Sequence, residues 1–275
     1  MNNQEIEALK KENEKKQIML NYQGVDRYAT FQEHKKNIDS APAIKTYASK
    51  FPALEYMTQG FIKKTLWVVS ALPGTGKTTF LRTLNIHFSD QGVNCLWLSY
   101  EEGAENFIAK FPKIPLGGMP LEHLSRNIQW IEDKIIEAKM KDNCEIVFID
   151  HLHYIIPPNT GMNTSMLIGE VARALVQYAQ KHDVLIFLVA HTSIIKSERT
   201  PTFSDIRDSS LIAAEASGII ILYRKMNDGI MEKETTISLQ KNRRKGDVGS
   251  FKCLYQNGLL MEITDSASEK PLPDF

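Results

Sequence analysis

The chain has 275 residues, 43% hydrophobic and 24% charged, with 33 Lys and Arg against 33 Asp and Glu. That length carries one or two domains and a full hydrophobic core without disulfides or metal. The composition excludes collagen-like, mucin-like and wholly disordered chains, and the zero net charge excludes a protein coated in positive charge.

Residues 1–20 are rich in Glu and Lys. Glu7 with Lys11 and Glu12 with Lys16 stand four apart in the favourable order, which predicts a helix with a thin apolar stripe of Ile6, Leu9 and Ile18. A solvated terminal helix and an arm docking on a neighbouring subunit both fit it. This terminus has no apolar signal core, and the longest apolar runs, 184–190 and 218–223, are too short to span a bilayer. Residues 21–45 lack clear periodicity and read as a linker. Cys95, Cys144 and Cys253 lie far apart with no CxxC, which argues against a disulfide framework or a cysteine zinc site and for a reducing, cytoplasmic compartment.

From Leu66 the texture changes. LWVVS (66–70), CLWLS (95–99), EIVFI (145–149), VLIFLVA (184–190) and GIIILY (218–223) read as buried parallel strands. Helices are expected between them: one reaching about Ser89, one over 127–141 on Ile128, Ile131, Ile135 and Ala138, and one over 168–181 on Val171, Leu175 and Tyr178. After Lys233, TTISLQ (235–240), SFKCLY (250–255) and LLMEI (259–263) read as antiparallel strands. The expectation is an α/β fold with a mostly parallel central sheet, flanking helices and antiparallel C-terminal strands.

The strongest local signal is Ala71-Leu72-Pro73-Gly74-Thr75-Gly76-Lys77-Thr78, which follows a strand and opens a helix, the setting of a phosphate-binding P-loop. Its glycines let backbone N–H groups curl around phosphates at a helix N-terminus. Lys77 is expected to reach the β- and γ-phosphates and Thr78 to ligate Mg²⁺. Ala71, Pro73, Gly74, Thr75, Gly76 and Thr79 complete the cradle. Ala71 stands where the strict pattern has glycine.

A P-loop needs a metal-orienting acid at the end of another buried strand, and Ile146-Val147-Phe148-Ile149-Asp150 supplies it. The strand over 95–99 runs into Tyr100-Glu101-Glu102. Glu101 is the first candidate to orient or deprotonate water, Glu102 the second, and a helix-capping or surface acid the competing reading. The strand over 184–190 runs into His191, suited to hydrogen-bond the γ-phosphate; a core or surface histidine competes. His151 and His153 read as structural, since no third ligand is evident.

In this order the P-loop, the SYEE strand end, FIDHLH and above all Ser204-Asp205-Ile206-Arg207-Asp208-Ser209 resemble the RecA-type motor domain of DnaB-like replicative helicases, phage and mitochondrial members included, over residues 45–263. The resemblance implies a RecA-like P-loop NTPase core and a hexameric ring that hydrolyses ATP at subunit interfaces. It further implies movement on single-stranded DNA during replication, with a primase or helicase loader among the partners. By motif, Lys77 and Thr78 hold phosphate and Mg²⁺, Asp150 orients the metal, Glu101 is the catalytic carboxylate and His191 the γ-phosphate sensor. Lys241 and Arg243 match the finger pair that enters a neighbouring subunit's ATP site.

DNA contact is then expected from loops 156–165 and 193–204, the latter with Lys196 and Arg199; Arg207 either contacts DNA or locks its own segment. The expected organisation is an N-terminal helical arm or linker at 1–45, the ATPase at 46–265 and a tail at 266–275. The first 45 residues are too few for the N-terminal domain of that family. A filament-forming RecA/RadA-like recombination ATPase and an ATP-switched adaptor or loader without unwinding activity are the competing readings.

Overall fold

The computed structural model describes residues 3–24, 26–122, 127–156, 164–192, 200–206, 209–227 and 230–263. The chain divides into two compact units, Met1–Ile44 and Lys45–Phe275. In the first, α1 (Asn3–Leu20) forms where the Glu and Lys pairs predict it, with Lys16 Nζ 2.7 Å from Glu12 Oε1. The linker expectation needs correction, because α2 (Phe31–Ser40) occupies it. Thr30 caps this helix by accepting from the Glu33 N–H at 3.2 Å, half of a Thr-x-x-Glu capping signal. No residue of α2 is buried, which is why no apolar stripe announced it.

The second unit opens with α3 (Pro52–Thr58), β1 (Thr65–Ala71), α4 (Lys77–Ser89), β2 (Cys95–Ser99), α5 (Ala104–Ala109) and β3 (Gly117–Gly118). It continues with α6 (Ile128–Asp142), β4 (Ile146–Asp150), α7 (Thr164–Lys181), β5 (Leu185–His191), α8 (Ser209–Glu215) and β6 (Gly218–Tyr223). After a short hairpin of β7 (Met226–Asn227) and β8 (Ile230–Met231) come β9 (Glu234–Asn242), β10 (Gly249–Gln256) and β11 (Leu259–Glu262). One sheet runs β11-β10-β9-β6-β1-β5-β4-β2-β3. Its strands from β6 to β3 are parallel, and β9, β10 and β11 add on antiparallel, as the sequence predicts.

The parallel strands are Val- and Ile-rich because both faces are covered. Trp67, Val69, Phe148, Phe187 and Ile220 pack on one face with Phe80 and Leu84 of α4. Val68, Val147, Ile149, Ile186 and Leu188 pack on the other with Leu175 of α7. Successive residues serve opposite faces, and each large apolar side chain so buried contributes about 1.5–3 kcal/mol. Cys95, Cys144 and Cys253 are buried and free. No helix among the described residues is long and apolar enough to cross a membrane.

Register decides where the chemistry gathers. Ala71 pairs with His191, and Ser99 pairs with Asp150. The C-terminal ends of β1, β2, β4 and β5 therefore finish at one edge of the sheet. At the opposite edge, Glu145 precedes β4 and receives hydrogen bonds from Lys45 Nζ at 2.5 Å and Tyr47 OH at 2.8 Å, with Lys63 Nζ 3.1 Å away.

Burial alone would push the Glu145 carboxyl up, but these three partners outweigh it and hold it at about 2. Its folded pKa lies below its unfolded value near 4.5, so its contribution is complete above that value and is lost as pH falls toward 2. A Glu145→Gln chain is expected to lose about 2–3 kcal/mol at pH 7. Thermal melts against wild type at pH 7 and pH 3 check this: the gap should shrink by roughly half at the lower pH.

Candidate active site

Between the end of β1 and the start of α4 the chain turns through Gly74 at φ 75° and Gly76 at φ 106°. A Cβ at Gly74 would meet nothing within 4 Å, so the left-handed backbone, rather than crowding, requires glycine there. Ala71 is still paired in β1, outside the tight turn, which explains why alanine serves at that position. The loop delivers the unpaired N–H groups of the first turn of α4 to its concave side, where an anion is favoured. Lys77, 7% exposed, donates from Nζ to Ala71 O at 3.2 Å and Leu72 O at 3.3 Å. Burial lowers its pKa, while the charges of Asp150 and Glu101 oppose that shift.

The Thr78 hydroxyl donates to Asp150 Oδ2 at 2.6 Å. Asp150 is 2% exposed, and its Oδ1 is buried without a partner among the described residues. Burial raises its pKa to about 6; the Thr78 bond and Lys77 resist, and Glu101 and Glu102 add to the rise. A buried carboxylate oxygen with nothing to bind, beside a hydroxyl and near two further acids, is a hard-oxygen donor set that fits Mg²⁺. Thr78 Oγ1 and Asp150 are the residues that would hold the ion.

Tyr100 N–H donates to Asp150 O at 2.8 Å, fastening the end of β2 to that of β4. Glu102 then turns away to pair with Lys110. Glu101 faces the other way: its Oε1 lies 2.8 Å from His151 Nδ1 and 3.7 Å from His191 Nε2. His191 Nε2 and His151 Nε2 share a hydrogen bond at 3.0 Å. This corrects the structural reading of His151, which meets both of the other groups. The His153 side chain lies outside the described residues.

Two further placements matter. Arg224, just past β6, was missed by the sequence reading. Its Nη2 lies 3.8 Å from where a Gly76 Cβ would stand, and its Nε donates to Thr235 Oγ1 at 2.8 Å. The available signal was a cation at the end of the GIIILY strand. Lys241 and Arg243 instead rest on the carbonyls of Ala213 and Ala214 at the end of α8. Burial and then the Arg243 charge lower the pKa of Lys241.

Asn242 pairs with Gly218 and Gly218 with Trp67, which places this pair near the start of β1. Trp67 to Ala71 covers about 13 Å of strand, so these cations are not gathered with their own P-loop.

Of the SDIRDS segment, Asp205 accepts from Thr202 N–H at 2.7 Å, and buried Ile206 bridges to Thr192 just after β5. Lys196, Arg199 and Arg207 lie outside the described residues, as does most of the 156–165 loop.

The DnaB-like helicase C terminal domain family matches residues 121–261. That stretch holds Asp150, His191, the SDIRDS segment and Lys241 with Arg243, while the P-loop precedes it. The replicative DNA helicase DnaB of Treponema pallidum (strain Nichols) is 23% identical over 241 aligned residues, covering 76% of this chain and 54% of that protein. The chain thus spans about half the length of that relative.

Among solved structures, a DnaB-like replicative helicase, solved in a study of its interactions with primase, matches with a TM-score of 0.73 at 20% identity, over 88% of this chain and 69% of that one. A solved ATPase domain matches with a TM-score of 0.71 at 20% identity, over 85% and 96%. At such identities these structures share the RecA-like fold with this chain.

Proposed function

The chain belongs to the DnaB-like helicase C-terminal domain family, and on that premise we propose that it is the motor of an ATP-driven helicase acting on single-stranded DNA in replication. One observation carries the reading: Lys77 at the head of α4, the Thr78–Asp150 pair and Glu101 converge at one edge of the sheet, past the C-terminal ends of β1, β4 and β2. The P-loop N–H groups and Lys77 would hold the ATP phosphates. Mg²⁺ on Thr78 and Asp150 would neutralise developing charge, and Glu101 would orient the attacking water.

The same reading makes Lys241 and Arg243 fingers for a neighbouring copy, which fits their place away from their own P-loop. It favours a hexameric ring, with Lys196, Arg199 and Arg207 as DNA contacts repeated around its channel. A primase or a loader is the partner class that follows, and a cytoplasmic setting suits it.

Strand displacement on a forked duplex tests the proposal. The wild-type chain should unwind the fork with ATPase stimulated by single-stranded DNA, and Lys77→Ala should lose both. A fork left intact despite ring assembly and ATP turnover would instead make the protein an adaptor. Filaments with strand-exchange activity would make it a recombination ATPase.

A further inference from the structure

Helix α4 carries two buried polar side chains three residues apart, on one face, whose donors are largely unused. Arg82, 7% exposed, donates from Nη2 to Thr79 Oγ1 at 3.2 Å, while its Nε and Nη1 are buried without a partner among the described residues. Asn85, 1% exposed, accepts from Trp97 Nε1 at 2.6 Å. An indole N–H only donates, so the amide oxygen of Asn85 must face Trp97 and its Nδ2 group is turned away. That Nδ2 is also buried without a partner among the described residues. Unused buried donors are unfavourable and rare, so two side chains with them on one helix face call for an explanation.

The chain builds a cavity beside them. Asn85 lines a space of about 230 Å³ together with Trp97, Phe107, Phe111, Leu116 and Met119. None of its lining residues belongs to the P-loop or to the Glu101 cluster. The space follows from the glycines of β3. At Gly117, with φ 111°, a Cβ would stand 1.9 Å from Cys95 O. Strand β3 therefore lies against β2 by backbone alone, and Gly117 and Gly118 bring no side chains to fill the gap. The walls are aromatic: ring centroids are 4.7 Å apart for Trp97 and Phe107 and 5.3 Å apart for Phe107 and Phe111. Arg82 packs over Phe111, its Cζ 6.0 Å from the ring centroid.

We infer that this cavity is a binding site for a small aromatic carboxylate. Size, shape and polarity each contribute to that class. An apolar cavity of about 150 Å³ takes benzene, so this one takes a ring with a few further atoms, roughly nine non-hydrogen atoms in all. Rings that already meet edge to face offer a further ring the same contacts. The polar groups on the α4 side are donors, and one of them is a cation. A carboxylate only accepts, so it complements the Asn85 amide, and its charge is favoured by the nearby guanidinium in a setting shielded from water. An amine would set donors against donors and a cation near a cation, and a hydrocarbon would leave Asn85 as it is. The inference does not depend on the ATPase reading.

Benzoate, with benzylamine and toluene as comparators, is the probe. The chain has three tryptophans, and the indole N–H of Trp97, held by Asn85, reports the site by NMR of the full chain. Benzoate should shift that signal to saturation with a Kd of about 1 mM or tighter, and the Trp67 and Trp130 signals should hold still. Benzylamine and toluene should bind at least about tenfold more weakly.

Two variants separate the polar contacts from the apolar walls. Arg82→Met keeps a long side chain over Phe111 and removes the charge, so benzoate should weaken by about tenfold while toluene is unchanged. Asn85→Asp keeps an acceptor for Trp97 and puts an anion where the donor was, so benzoate binding should be lost. Thermal melts check that both variants fold, and if Asn85→Asp does not, Arg82→Met decides alone. No saturable shift at Trp97 would overturn the inference. So would toluene or benzylamine binding as tightly as benzoate, or an unchanged benzoate affinity in Arg82→Met.

Discussion

Neither Lys77→Ala nor Arg243→Ala chains should hydrolyse ATP at more than about a thousandth of the wild-type rate, yet mixing the two should restore turnover. The first would lose the cation proposed to hold the phosphates. The second loses a cation that, by its place near the start of β1, is not gathered with its own P-loop. In a mixed ring, some interfaces bring the intact P-loop of an Arg243→Ala subunit against the intact finger of a Lys77→Ala subunit. With equal parts and random order, half the subunits carry each intact part, so about a quarter of interfaces are complete. Independent sites would then recover up to that fraction, and sites that fire in sequence would recover less. No recovery in rings shown by native mass spectrometry to be mixed would eliminate the trans role. The fold itself should survive Arg243→Ala, because that side chain is exposed and its described contact is with a helix-terminal carbonyl.

The same distinction between local and long-range information separates what the sequence carried from what it did not. Runs such as IVFI and LIFLV announce buried strands, because a strand covered on both faces has no use for polar residues. The P-loop and Asp150 are equally legible, since each is a short segment whose chemistry is complete in its own residues. Thr30 and Glu33 were a readable cap for α2, but a helix with no buried face leaves no apolar stripe. His151 and Arg224 belong to another class. Their meaning depends on which strands are neighbours: β4 between β2 and β5 makes His151 a bridge, and β6 beside β1 brings Arg224 over Gly76. Nothing in Asp-His-Leu-His or Leu-Tyr-Arg fixes those adjacencies. Zero net charge behaves in the same way. It limits the total and says nothing of a P-loop lysine, two cations at the end of β9, or acids gathered at one sheet edge.

Glu101→Gln should lower kcat for ATP hydrolysis by about 10²–10⁴-fold while leaving nucleotide affinity nearly unchanged. The amide keeps the size of the carboxylate and one acceptor oxygen, so the packing around it persists. In its proposed role it removes the charge that would orient water and accept its proton, an interaction needed as the reaction proceeds rather than when ATP binds. The loss should therefore fall on kcat, with affinity for a fluorescent ATP analogue measured separately. Glu102→Gln is the internal control. Glu102 pairs with Lys110, so that change should alter kcat by less than about threefold. Equal losses in the two variants would mean that the adjacent acids act through their summed charge on Asp150, whose pKa both raise, rather than through one oriented carboxylate. A large loss confined to Glu101→Gln would identify that carboxylate as the group that meets the water.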